Sequence, residues 1–402
     1  MGNTTSSSTG SVAVRIGVIG SGLRIQHVIT SLLRESPSST VTALCDPDVA
    51  ALDRFRREVA PDAAACGSVD ELCARKDVDW VFIGSFNCHH AAHTIAAFRA
   101  GKNVFCEKPL SLSLDEAEEM HESWKSSGRT FALGLVLRYS PLYRMARRFL
   151  DEGRIGEILS FEFNETLDFN HGGYIHGNWR RHRELAGTHL LEKCCHDIDL
   201  ALWLAGSLPT RVASFGGRGF FKPENARHAA RIGNSPEGTP AYRAWPDPHG
   251  VDPFGDDKSI VDHQVAILDF ASGIKGTFHT QCNAGIPERR FYFCGTEGSM
   301  RLDAYSGELE VGRIGWEKTI SLHKPIAGSG HAGGDELMAR ELAEVLAGSR
   351  APAAGFTEGI RSLVVANAVD EAMEKGAVVD MRPQWKRVAR VFGGDEVLDR
   401  SY

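Results

Sequence analysis

VAVRIGVIGSGLRIQHVITSLL, residues 12–33, passes from a short apolar run rich in Val and Ile into a glycine turn and then into an amphipathic repeat. The run over 12–19 lacks alternation, which suits a parallel strand covered on both faces. Beyond Gly20-Ser21-Gly22, the residues Ile25, Val28, Ile29, Leu32 and Leu33 recur at helical spacing, and Ser36-Pro37 closes the segment. A second strand over 40–45 ends in Asp46-Pro47. Further strands are predicted at 80–84, 103–106 and 131–137, with helices near 49–59, 91–100 and 114–126 between them. Strand and helix alternating through about 140 residues predict a doubly wound α/β sheet.

The rest of the chain bounds what that sheet serves. Its 402 residues suggest two to three domains, and its 52 acidic against 45 basic residues give a net charge of −7, with no extended basic face for nucleic acid. Nine cysteines without a CxxC pair point to a reducing compartment rather than a disulfide framework. Apolar runs fall short of the ~18 residues a bilayer span needs, and no export signal opens the chain, so a cytoplasmic enzyme without membrane contact is expected. Residues 1–11 are rich in Ser, Thr and Gly and are expected to be a disordered lead.

A turn after the first strand needs Gly20 for its tight backbone and Gly22 for the approach of a pyrophosphate to the helix N-terminus, where Leu23 and Arg24 follow. Asp46, 24 residues beyond Gly22, stands where a carboxylate accepts from an adenosine ribose. That acid favours NAD over NADP, since no arginine follows it through 47–52 to hold a 2'-phosphate. Ile25 departs from the pattern G-x-G-x-x-G, which usually has Gly or Ala at that position.

Cys106-Glu107-Lys108-Pro109 follows a strand, and an amine at a strand's carboxyl end points toward the ligand crevice of an open sheet. The stretch 83–117, with Asn87, His90, Ala100-Gly101-Lys102 and Glu107-Lys108-Pro109-Leu110, resembles the glucose-fructose oxidoreductase, inositol dehydrogenase and MocA family (Gfo/Idh/MocA), as do Gly17 to Gly22 at the start. The similarity continues to the helix opening at Pro141, the strands around 293–302 and the helix near the end. It implies an active-site role for Lys108 and a commonly cis Lys-Pro bond. Cofactor contacts from Asn87, His90 and Glu107 are also expected.

The segment 188–204 is predicted to be one helix on which Glu192, His196 and Asp199 share a face. His196 and Asp199 match the resembled family's pattern, and Glu192 replaces an Asp. Lys193, Cys194 and Cys195 depart from it. Consecutive helical residues lie about 100° apart, so the Cys-Cys-His run is not read as a metal site. Trp179 and Arg180 either bind a sugar or form a solvated basic turn.

Residues 217–258, with six prolines, are expected to be an irregular lid or arm. Strands over 259–303 predict an open, mainly antiparallel sheet, which the resemblance makes a subunit contact in a homodimer or homotetramer. His331 is expected either to reach the active site or to cap a helix.

The expected organisation is a Rossmann domain over 12–140 and an α+β substrate and oligomerisation domain over 141–402. The expected function is NAD-dependent oxidation of a ring hydroxyl on a sugar, cyclitol or glycoside. His196 would take the proton, Lys108 would stabilise the oxygen, and Asp199 would orient the imidazole. Glu192 and Lys193 join the candidate substrate contacts. The alternatives are an NAD-dependent glycoside hydrolase working by transient C3 oxidation, and a non-enzymatic NAD-binding regulator.

Overall fold

The computed structural model describes residues 13–393 apart from 246, 248, 318 and 326–330. The expected disordered lead therefore lies outside the described residues. The first half alternates β1 (Arg15–Ile19), α1 (Leu23–Glu35), β2 (Thr40–Cys45), α2 (Val49–Glu58), β3 (Ala64–Ala65), α3 (Val69–Ala74), β4 (Trp80–Ile83), α4 (His90–Arg99), β5 (Asn103–Cys106), α5 (Leu114–Ser127) and β6 (Phe131–Leu133). The strands pair in parallel in the order β3-β2-β1-β4-β5-β6, so the order reverses between β1 and β4, where α/β sheets bind ligands. Four consecutive residues of β4 are buried, as helices on both faces require.

Local chemistry sets the helix ends. Asp48 accepts from the backbone of Ala50 and Ala51 at the start of α2, and Ser113 with Glu116 forms a capping box on α5, which stops at left-handed Gly128. The strand expected over 131–137 ends at Leu133, because Val136–Tyr139 turn into a 3-10 helix. Ile25 is accommodated from the opposite side: a Cβ on Gly84 would lie 2.5 Å from its own Cβ. The small residue that close packing needs stands on the strand end instead of the helix.

The second half contains α6 (Pro141–Asp151), β7 (Ile158–Asp168), α7 (Phe169–His176), α8 (Arg183–Ala186), α9 (His189–Glu192), α10 (Cys195–Ala205), β8 (Pro209–Gly217) and α11 (Arg227–Ile232). It continues with β9 (His263–Phe270), β10 (Lys275–Ala284), β11 (Arg290–Gly295), β12 (Gly298–Asp303), β13 (Glu308–Arg313), β14 (Ile320–His323), α12 (Gly334–Leu346), α13 (Phe356–Lys375), β15 (Val379–Asp380) and α14 (Arg382–Phe392). Its nine strands run β14-β13-β12-β11-β7-β10-β9-β8-β15; the pairing is antiparallel except between β7 and β10. Alternating burial along β9 to β11 gives this sheet one core face, where Phe161, Phe163, Phe278, Phe291 and Phe293 pack ring on ring. The other face carries the exposed Phe215, Val265 and Ile267.

Residues 217–258 are less irregular than expected. They hold α11 and a small core of their own, with Phe221, Tyr242 and Phe254 buried against Ile175 of α7. The segment also crosses to the Rossmann sheet, where His249 Nε2 lies 3.2 Å from Asp48 Oδ2, two residues past Asp46. Among the described residues no helix is long and apolar enough to cross a membrane, and all nine cysteines are free.

Candidate functional site

Gly20 takes φ +83°, and a Cβ there would sit 2.4 Å from the amide nitrogen of Ser85 at the end of β4. Gly22 faces open space, and no side chain caps the first turn of α1, so its N–H groups are free to meet an anion. Asp46 accepts from the amides of Ser21 at 2.5 Å and Asp48 at 2.8 Å, which fixes the carboxylate at the mouth of the turn. These residues fit a dinucleotide. Arg54, beyond the window inspected in the sequence, reaches the Ser21 carbonyl at 3.1 Å.

Arg24, a candidate cofactor contact, is held by two carboxylates. Its guanidinium donates to Glu107 Oε1 at 2.9 Å and to Asp335 Oδ1 at 2.6 Å, and Asp335 in turn accepts from His331 Nδ1 at 2.7 Å. His90 is fully buried and faces two carbonyls, Pro109 at 2.7 Å and Ser85 at 3.2 Å. Burial lowers its pKa, so the neutral ring has one proton to donate to these two carbonyls. Asn87 donates to Ala186 in the second domain at 2.8 Å. Both residues brace the strand ends around the cis Lys108–Pro109 bond.

Lys108 Nζ donates to the Glu192 backbone carbonyl at 2.5 Å and to Glu192 Oε1 at 3.1 Å, while Arg180 Nε donates to the same Oε1 at 2.9 Å. Burial alone would raise the Glu192 carboxyl, but Lys108 and Arg180 outweigh it and hold the group well below the usual carboxylate range. One buried anion thus bridges two cations and orients the lysine.

The helix expected over 188–204 is broken: α9 ends at Glu192, and α10 begins at Cys195 after a turn at Lys193 and Cys194. The break lets the Glu192 carbonyl face Lys108. His196 follows in the first turn of α10, where desolvation, then the charges of Lys108 and Arg289, push its pKa well below the usual value. It is therefore a neutral base at pH 7, and its Nδ1 is buried with no hydrogen-bond partner among the described residues.

Asp199 does not orient this imidazole. Both of its oxygens are taken by Arg138, at 2.7 and 2.9 Å, because Arg138 on the turn after β6 reaches α10 from the other side. Lys193 pairs with Glu165 at 3.0 Å. Glu165 also meets Arg289, which forks onto Asp197 with two contacts of 2.8 Å, so a buried ion network holds the residue next to His196 in the chain. Trp179 stacks on Phe86 at 4.3 Å, and the Arg180 guanidinium lies over its ring.

Three residues around this cluster lay outside the motifs legible in the sequence or were left undecided there. His171 on α7 feels the charges of Lys193, Glu192 and Arg180, and its pKa is driven down mainly by burial. Tyr174 accepts from Arg180 Nη1 at 3.1 Å. The His331 ring lies 6.3 Å from that of His196, and His331 and Ala332 hold left-handed backbone, φ +44° and +51°. Such strain persists where the surroundings impose it, here through Asp335 and the Ser140 hydroxyl, which donates to Ala332 O. Among the described residues no group of three or more His, Cys, Asp or Glu is placed to hold a metal ion.

Two models of one protein family match this chain. Residues 14–135 match the model of an oxidoreductase family with an NAD-binding Rossmann fold, and residues 147–381 match the same family's C-terminal alpha/beta domain. A 2,7-anhydro-N-acetylneuraminate hydratase from Escherichia coli is 26% identical over 313 residues, covering 77% of this chain and 73% of the relative. An inositol 2-dehydrogenase from Gluconacetobacter diazotrophicus is 32% identical over 197 residues, 47% of this chain and 53% of the relative, so that match spans about half of its length. An uncharacterised oxidoreductase from Streptococcus pneumoniae is likewise covered over 53% of its length, at 29% identity. Among solved structures, levoglucosan dehydrogenase with NADH and levoglucosan superposes with a TM-score of 0.74 at 20% identity, over 92% of this chain and 100% of that one. The myo-inositol 2-dehydrogenase of Lactobacillus plantarum gives a TM-score of 0.70 at 22% identity, over 92% and 99%. At these identities the superpositions establish the fold.

Proposed function

Since the chain belongs to the Gfo/Idh/MocA oxidoreductase family, we propose that it is an NAD-dependent oxidoreductase acting on a ring hydroxyl of a sugar, cyclitol or glycoside. The observation that carries this reading is that Lys108, held by Glu192, lies near enough to the buried His196 for its charge to help keep that imidazole neutral. A substrate hydroxyl set between the ammonium and the imidazole would have a donor for its oxygen and an acceptor for its proton. Gly20, Gly22, the open N–H groups of α1 and Asp46 would hold NAD, whose nicotinamide accepts hydride when bound.

In the proposed step, Lys108 donates to the reacting oxygen and stabilises the negative charge that grows there. His196 takes the hydroxyl proton. Glu192 keeps Lys108 on target and balances Arg180, while Asp199 acts at one remove by fixing Arg138 beside α10. The exposed Phe215, Val265 and Ile267 on the open sheet face support a homodimer or homotetramer.

Cofactor choice follows from Asp46. NAD is expected to bind more tightly than NADP, because a carboxylate accepts from a free ribose hydroxyl and repels a 2'-phosphate. In Asp46→Ala the gap should narrow, helped by Arg54 nearby. Calorimetric titration of both nucleotides checks this, and equal affinities in the unsubstituted protein would refute it.

A redox-neutral reading has one observation in its favour: the hydratase relative carries a name that is not a net oxidation, and its alignment covers 77% of this chain. The two readings separate when the enzyme is given aryl glycosides and free sugars while NADH absorbance and aglycone release are followed together. NADH accumulating in proportion to sugar consumed, with the glycosidic bond intact, is the expected outcome. Repeated aglycone turnover without net NADH would replace dehydrogenation by elimination and hydration.

A further inference from the structure

We propose that His331 is the second station of the proton path: it receives from His196 the proton taken off the substrate hydroxyl and passes it to solvent. This rests on the oxidoreductase reading above. His196 is only 5% exposed, so a proton left on its imidazole has little access to bulk water. The acids around it are already engaged by cations: Glu192 by Lys108 and Arg180, Asp197 by Arg289, and Asp199 by Arg138.

His331 is the neutral base beside it. The two ring centroids are 6.3 Å apart, and two hydrogen bonds of about 2.8 Å through one shared oxygen bridge such a gap between ring nitrogens. That oxygen belongs to a water or to a neighbouring hydroxyl of the substrate. The His331 side chain is 34% exposed, so it borders solvent as well as His196. Its Nδ1 lies 2.7 Å from Asp335 Oδ2, which makes Nδ1–H the donor there and leaves Nε2, without a hydrogen-bond partner among the described residues, to accept.

Charge suits a group that takes up a proton and gives it away again. Burial holds His331 below its ordinary pKa, with Asp335 opposing and Arg24 and Arg289 adding to burial, so the ring is neutral at pH 7. The steps balance. The substrate O–H bond breaks and an N–H bond forms on His196 as the carbon is oxidised, with NAD as the acceptor. A proton then crosses the bridging oxygen to His331 Nε2, and His331 releases it to buffer, returning both imidazoles to the neutral form.

The loop is fixed for this task. His331 and Ala332 take φ +44° and +51°, the Ser140 hydroxyl donates to Ala332 O at 2.9 Å, and a Cβ on Gly334 would lie 2.6 Å from the Val136 carbonyl.

The test uses the full chain with NAD and whichever of D-glucose, the methyl glucosides, levoglucosan and myo-inositol it oxidises fastest. Two variants tolerate the left-handed backbone at this position. His331→Asn keeps a donor for Asp335 but relays no proton, and His331→Gly leaves a hole for added imidazole. Each is expected to lower kcat about ten-fold or more, with KM and the calorimetric NADH affinity within about two-fold of the parent. In His331→Asn the solvent deuterium isotope effect on kcat should rise and the substrate C–D effect should shrink. Millimolar imidazole should restore most of the lost rate to His331→Gly and leave the parent unchanged.

A kcat within two-fold of the parent in both variants would overturn the relay and leave the oxidoreductase reading intact. A loss that imidazole does not restore, with both isotope effects unchanged, would do the same by making the role of His331 structural. No NADH from any of these substrates in the parent would overturn both readings together.

Discussion

Lys108→Ala and His196→Ala are each expected to lower turnover by about two to four powers of ten while NAD still binds. The cause differs between the two. Without Lys108 the reacting oxygen loses its ammonium donor, but Glu192 keeps Arg180 at 2.9 Å, so no carboxylate is stranded and the fold survives. Without His196 the proton has no acceptor, and the removed imidazole is neutral, so no ion pair is broken. NAD affinity should hold because neither side chain belongs to the glycine turn or to Asp46. Steady-state rates on the oxidised sugar, together with NAD titration of each variant, check both halves. If either variant retains near-full turnover, the role given to that residue fails.

The largest stability effect is expected from Arg289→Met. Arg289 is buried and holds two carboxylates, Asp197 with a pair of 2.8 Å contacts and Glu165 at 2.9 Å. A methionine of similar length leaves Asp197 without its fork and Glu165 with Lys193 alone. Losing one partner of such a buried pair costs about 3–5 kcal/mol.

The pH dependence has a defined sign. Burial already raises the Asp197 carboxyl above its ordinary value, with Arg289 opposing, and losing the guanidinium raises it further. A carboxyl whose folded pKa lies above its unfolded one contributes stability at low pH that is lost as pH rises. The deficit of the variant should therefore be smaller at pH 5.5 than at pH 8. Urea unfolding at both values measures it, and a variant within about 1 kcal/mol of the parent at pH 8 would show that the network carries little of the fold.

The Rossmann half was legible because its signals are local. Val18 and Ile19 run straight into Gly20-Ser21-Gly22, and the apolar spacing from Ile25 to Leu32 is set within a few turns of one helix. Lys108 was legible for the same reason, as a polar residue at the end of an apolar strand. What escaped depends on partners far away in sequence. Asp199 has the spacing to face His196, yet the strongest available cation is Arg138, 61 residues earlier. No periodicity reveals the break between α9 and α10, since both pieces are good helix formers and the interruption serves the Glu192 carbonyl. Likewise the prolines of 217–258 mark irregular backbone correctly but say nothing of Gly172 and Gly173, whose lack of side chains lets Cys282 and Tyr242 approach.

The link from Glu107 through Arg24 to Asp335 joins residues up to 311 positions apart. The same return of the chain lays α12 on α1 and lets Leu133, on the last Rossmann strand, donate to the carbonyl of Ala354. The dinucleotide half is consequently not a cassette. A fragment ending at residue 140 would keep Gly20, Gly22 and Asp46 but would leave Arg24 short of one carboxylate and expose the apolar faces that α12 and α13 cover. Recombination of the two halves between relatives therefore has to carry the last helices along with the first one.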